Sequence, residues 1–302
     1  MEANPVLKKL GYSKDDRVVI IHTDDIGMCH SSVAAFRELY DVGIITSGAV
    51  MVPCPWFLAA VALKEEFPKI DLGVHLTLTS EWKQYRWGPI STRDPLSGLI
   101  DPEGYFYSET ELAQLNVDPK FGEQELNEQI SRVLQAGLLP SHLDTHMGTV
   151  AHPKLMNVYI ELGLKYQLPL MMFRMDEIGW QNFGLDSESS KVVAQISEQL
   201  EKMEFPLLDN IHAMSLENSE NRLEKVKEEF KNLPPGITHF IIHPSIDSQE
   251  IRAIAPDWRC RVGDYEVFRN ESLLNFLDKE GIQRIGYLAL KELMPTNLFQ
   301  SS

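Results

Sequence analysis

Two carboxylates stand side by side at Asp24-Asp25, directly after the apolar run Val18-Val19-Ile20-Ile21. Adjacent carboxylates repel unless a cation or a proton lies between them. A metal ligand on one and a general base on the other resolves that repulsion. His75 sits inside the apolar run Gly73-Val74-His75-Leu76 and reads as a ligand once the aspartate pair is available to share a cation. The block Asp144-Thr145-His146 offers His146 as a third ligand and Asp144 as a group that orients a histidine. His142, in the same block, reads as structural and as facing the other side of its strand. One Asp and two His are a known way to hold a divalent ion with positions left open for water and substrate. Zinc or magnesium is the expected metal, with cobalt, nickel and manganese as alternatives. His243 ends another apolar run, and Pro244 then forces the chain out of the sheet. A histidine so placed, and not needed for the metal, suits general acid catalysis on a leaving amine. Arg174 and His212, at two further strand ends, and Trp82, Trp258 and Arg261, in two long connections, are candidate substrate contacts. Cys29, Cys54 and Cys260 read as small buried hydrophobes.

These residues need a scaffold that gathers strand ends. Apolar runs at 17–22, 47–52, 71–78, 141–145, 168–173, 208–212, 239–243 and 283–288 read as strands. Amphipathic stretches at 31–42, 55–66, 123–137, 152–166, 189–203, 219–232 and 264–280 read as helices. Short Val/Ile/Leu-rich runs alternating with longer amphipathic segments predict βαβ units and a mostly parallel sheet. Eight such runs favour an α/β barrel, whose chemistry sits at the carboxyl ends of its strands. The expected organisation is a single barrel domain over 1–302, with long loop insertions at about 79–122 and 245–263. Connections of that length are uncommon unless functional.

The composition narrows the function. The chain has 302 residues with 28 Lys and Arg against 44 Asp and Glu, a formal charge of −16. That charge argues against nucleic acid and other polyanions as partners and leaves a neutral ligand unaffected. No apolar stretch reaches the ~18 residues of a membrane span, and the first residues lack the apolar core of a signal peptide. Three scattered cysteines make no disulfide framework, so a cytoplasmic setting is expected.

Four blocks in order, Thr23-Asp24-Asp25-Ile26-Gly27, Gly73-Val74-His75-Leu76-Thr77-Leu78, Ser141-His142-Leu143-Asp144-Thr145-His146 and His243-Pro244, make the sequence similar to the YdjC-like carbohydrate deacetylases, including the chitooligosaccharide deacetylases. The resemblance extends from residue 17 to residue 289. It implies a deformed (β/α) barrel of seven to eight mostly parallel strands and one divalent metal held by Asp25, His75 and His146. It further implies Asp24 as the base, His243 as the acid, and removal of the acetyl group from an N-acetylated amino sugar or oligosaccharide. The sequence departs from the family after His146: the histidines usual at alternate positions are replaced by Gly148 and Val150, and Ser245 follows the His-Pro block where Gly or Ala is more usual. These changes suggest a divergent subgroup, with a different acylated compound as one reading. Two other readings are another metal-dependent hydrolase, of C–N or phosphoester bonds, and a non-catalytic sugar-binding relic. Homo-oligomerisation is expected of such an enzyme, although no face in the sequence identifies it.

Overall fold

The computed structural model describes residues 3–295. Among these residues, seven parallel strands form one curled sheet: β1 (Arg17–Ile26), β2 (Ser47–Val50), β3 (Leu72–Leu76), β4 (Leu143–Thr145), β5 (Asn210–Ala213), β6 (Gly236–Ile242) and β7 (Gln283–Arg284). The order is β4-β3-β2-β1-β6-β5, with β7 on the first half of β1. β1 is central and is buried along nine of its ten residues, as expected of a parallel strand covered on both faces.

The run at 168–173, expected to be a strand, forms no regular ladder. It still closes the ring. Leu143 donates to the Pro169 carbonyl and Met171 to the Leu143 carbonyl, while Leu208 donates to Met172 and Arg174 to Leu208. The short edges β4 and β5 are thereby stitched together through bridges at Leu143–Leu170 and Phe173–Leu208. The result is a deformed α/β barrel.

Helices wrap the outside, among them His30–Val42, Phe57–Glu66, Pro119–Gln135, Pro153–Tyr166, Ser187–Lys202 and Arg222–Lys231. Pro at the first turn and an Asp or His side-chain cap start several of them; Asp118 accepts from Lys120 and His152 from Lys154. Three expectations are corrected. The helix expected at 264–280 is two, Trp258–Phe268 and Glu271–Lys279, separated where Asn270 caps the second. The stretch 245–263, expected to be a loop, contains the helix Gln249–Ile254 and the start of Trp258–Phe268. The stretch 79–122, expected to be a loop, is the third: it contains the helix Thr110–Asn116 and the start of Pro119–Gln135, and it packs around its own aromatics, with Trp82, Trp87 and Phe106 buried and the Trp87 indole donating to the Thr79 carbonyl at 2.8 Å. No helix among the described residues is long and apolar enough to cross a membrane.

Candidate metal centre and active site

The aspartate pair owes its position to an irregularity in β1. His22 and Thr23 pair with Ser47 and Gly48, but the next pairing is Ile26 with Val50, so β1 carries one residue more than β2 over the same span. The extra residue makes a bulge, a device that re-aims side chains at barrel rims. Asp25 adopts φ 61°, an uncommon conformation for a non-glycine residue, and Gly27 follows at φ 91°. Strain of this kind collects at functional positions. Gly48 makes room beneath the bulge, since a Cβ there would lie 2.5 Å from Ile26 Cδ1.

Asp25 Oδ1, His75 Nε2 and His146 Nδ1 converge. The carboxylate oxygen is 3.4 Å from His75 Nε2 and 3.1 Å from His146 Nδ1, and the two nitrogens are 3.3 Å apart. Ligands about 2.0–2.1 Å from a tetrahedral ion are separated by about 3.3 Å. All three residues are buried, and Asp25 Oδ1 has no hydrogen-bond partner among the described residues. The remaining polar atom of each residue is held from outside. Arg261 Nη1 donates to Asp25 Oδ2 at 2.7 Å, Asp144 Oδ1 meets His75 Nδ1 at 2.9 Å, and Glu81 Oε2 meets His146 Nε2 at 3.1 Å. A carboxylate behind each histidine and a guanidinium behind the aspartate is the outer support that metal ligands use. The residues present therefore fit a divalent cation.

The electrostatics agree. Burial pushes the His75 imidazole down, but Asp144 and Asp24 overcome it and hold its pKa well above the usual value. His146, likewise opposed by burial, is raised by Glu81 and Asp25 to about 9. Burial acts to raise Asp25, yet Arg261 and His146 bring it well below the ordinary carboxylate range. The pocket thus stabilises positive charge at its centre.

Asp24 lies beside this triad. Its Oδ2 is 3.8 Å from both His75 Nε2 and His243 Nε2, and its Oδ1 meets His22 Nδ1 at 2.7 Å. Burial works against its ionisation, but His75 and His22 outweigh that and keep the carboxyl well below its ordinary pKa. The backbone N–H of His243 donates to Asp264 Oδ2 at 3.0 Å, and Asp264 also accepts from Arg222 at 2.7 Å.

Beneath the site the barrel interior is polar. His22 Nε2 meets His142 Nε2 at 2.9 Å, the His142 ring stacks on Tyr287 at 3.7 Å, and the Tyr287 hydroxyl meets His239 Nδ1 at 2.9 Å. This corrects the expectation for His142. Side chains alternate along a strand, so His142, Asp144 and His146 share the inward face. Gly73, next door on β3, leaves the space His142 occupies: a Cβ there would lie 2.4 Å from the ring.

A cavity of about 710 Å³ opens beside the triad. Asp24, Asp25, His146, His243, Trp82 and Arg261 line it, whereas Arg174, His212 and Trp258 do not. Arg174 is buried in ion pairs with Glu201 and Asp209 at 2.6 and 3.3 Å. His212 alternates with the cavity-facing Ile211 and Ala213, so it points outward, 3.2 Å from Glu229. Trp258 is covered by the guanidinium groups of Arg252 and Arg259. Glu81 is legible only in the structure, because an acidic residue in a long connection carries no local sign that it will reach His146. Burial pushes the Cys29 and Cys54 thiols up, in keeping with inert buried groups.

A carbohydrate deacetylase of Thermus thermophilus is 33% identical over 261 residues, covering 86% of this chain and 89% of that one. A carbohydrate deacetylase of Thermoanaerobacter pseudethanolicus is 23% identical over 275 residues, covering 91% of this chain and all of the other. A crystal structure from Enterococcus faecalis, described as a candidate cellobiose-phosphate cleavage protein, superposes with a TM-score of 0.72 at 22% identity, covering 91% of this chain and 99% of that one; it bears on the fold alone. The family model for YdjC-like proteins matches residues 18–279, a span running from β1 to the last turn of helix Glu271–Lys279 and including every residue of the buried triad, so the chain belongs to the YdjC-like protein family.

Proposed function

We propose that the protein is a divalent-metal-dependent hydrolase that removes the acetyl group from an N-acetylated amino sugar. The observation that carries this reading is the convergence of Asp25 Oδ1, His75 Nε2 and His146 Nδ1, each with its remaining polar atom pinned by Arg261, Asp144 or Glu81. The relatives named carbohydrate deacetylases supply the substrate class. In this reading Asp25, His75 and His146 hold the cation, which when bound supplies Lewis acidity toward the amide carbonyl. Asp24 Oδ2 takes the proton of the attacking water as the new C–O bond forms. His22, bonded to Asp24 Oδ1, keeps the other oxygen turned toward the cavity. His243 donates a proton to the amide nitrogen as the C–N bond breaks, which yields acetate and the free amine. Arg261 serves as a positioning group for Asp25 rather than as a substrate contact, and Trp82 forms part of the wall under its guanidinium.

The test is acetate release from a panel of N-acetylated sugars, measured with zinc, magnesium, cobalt, nickel and manganese and again after chelation. Metal-dependent release from at least one sugar is expected. Sugar binding without turnover under any metal would favour the non-catalytic relic instead.

A further inference from the structure

The cavity beside the metal centre has two unlike walls. The triad and its neighbours come from β1, β3 and the end of β4. The opposite arc, from the segment after β4 round to β6, contributes Met156, Met171, Phe173, Trp180, Phe183 and Ile241. These six side chains offer no hydrogen bonds to a sugar, apart from the Trp180 indole N–H; the polar lining residues of the same arc, His152, Asp186 and Ser189, stand at partly or fully exposed positions. The Trp180 N–H is buried and has no acceptor among the described residues. Phe173, Trp180 and Phe183 form a ring cluster with centroids 5.9–6.5 Å apart. Met147 and Met172 join Met156 and Met171 in the lining, which makes four flexible, polarisable side chains. Sugar hydroxyls buried against such a wall would lose their hydrogen bonds to water without replacement. A volume of about 710 Å³ also suits a drug-sized ligand and leaves most of its apolar arc unused by an acetyl methyl.

We infer that the substrate is an amphiphile, whose amide lies at Asp25, His75 and His146 and whose aliphatic chain lies along the Met156–Phe173–Trp180–Phe183 wall. This inference rests on the amide-hydrolase reading and narrows its substrate class. The chain could be the acyl group itself or an alkyl group on the sugar. Both present the same chemistry to the wall.

Metal-loaded Asp24→Asn protein separates binding from turnover. Its dissociation constants would be measured by calorimetry for N-acetylglucosamine, N-octanoylglucosamine and octyl N-acetylglucosaminide. A fully buried methylene is worth about fourfold in affinity, so at least one chain-bearing amide should bind about a hundredfold or more tighter than N-acetylglucosamine. Which of the two does so identifies the chain's source. Phe183 is half exposed, so Phe183→Asp is expected to keep the wild-type circular dichroism spectrum and should cut that gain at least about tenfold. Equal affinities for all three ligands would overturn the inference, even if wild-type protein releases acetate. An undiminished gain in Phe183→Asp would remove the wall from it. Tight chain-dependent binding without hydrolysis of any amide by wild-type protein would instead sink the hydrolase reading alone.

Discussion

Asp24 and Asp25 are chemically identical neighbours with different surroundings, and those surroundings separate their roles. Asp25 has one oxygen tied to Arg261 and the other 3.4 and 3.1 Å from His75 and His146, whereas Asp24 has one oxygen tied to His22 and the other set back at 3.8 Å from both His75 and His243. Asp24→Asn should therefore lower kcat by about a hundred- to ten-thousand-fold while leaving metal content unchanged by elemental analysis. Loss of metal in that variant would move Asp24 into the ligand set. The carboxylates behind the histidines allow a complementary test. Glu81→Gln and Asp144→Asn each keep a hydrogen-bonding side chain but lose the charge, and each should weaken metal affinity about 10–100-fold in a chelator competition. An unchanged affinity in Glu81→Gln would mean that its contact with His146 is incidental.

At the scale of elements, register does most of the positioning. β3 pairs with β4 so that His75 stands opposite Asp144, which places the Nδ1–carboxylate contact on one face of the sheet without any help from loops. The bulge in β1 performs the corresponding task for the aspartates. Gly73 joins this arrangement to the histidine layer below, because its missing side chain is what admits the His142 ring. Gly73→Ala should cost about 1–3 kcal/mol by forcing that ring aside, read as a lower midpoint in denaturant. In a His142→Ala background the same substitution should cost clearly less, since the obstructing ring is gone. An equal cost in both backgrounds would place the strain elsewhere.

For the whole molecule, two sets of buried histidines pull stability in opposite directions with pH. Burial and the neighbouring His22 hold His142 and His239 well below the usual pKa, so both are neutral in the folded state. Their contribution is present above about pH 6.5 and is lost as the pH falls, by up to about 1.4 kcal/mol per histidine per pH unit. His75 and His146 are raised, the latter to about 9, so their contribution is present below about 6.5 and is lost as the pH rises through about 9. Metal-free protein should thus be most stable near about pH 6.5. Adding metal at about pH 8 should raise Tm and release protons, because the cation takes their place at His75 and His146. Calorimetry in buffers of different ionisation enthalpy measures that release; metal binding without it would argue against these two histidines as ligands. The −16 charge belongs to the surface apart from Asp24, Asp25, Asp144 and a few other buried acids, and it disfavours polyanionic substrates without selecting among neutral ones.

Much of the scaffold and the chemistry was legible locally. Alternating apolar runs and amphipathic stretches specify a parallel α/β arrangement, because both periods arise from neighbouring residues. The placement of Asp24-Asp25, His75, His146 and His243 at strand ends follows from the same runs. The inward face of His142 was also readable, since it shares the parity of Asp144 and His146. The weak strand at 168–173 was not, because its ladder depends on short partners at both edges. Other features depend on contacts between residues far apart in sequence. Arg261 reaches Asp25 across 236 positions and Glu81 reaches His146 across 65, and no local pattern constrains either. The same holds for Arg174 and His212: each is a polar residue at a strand end, but alternation along β5 turns His212 outward, and Glu201 and Asp209 draw Arg174 away from the cavity. Residue type and periodicity act over a few positions and can place a side chain at a rim. Only packing and register across the closed barrel bring three such side chains to within 3.4 Å of one another and give them an apolar wall to face.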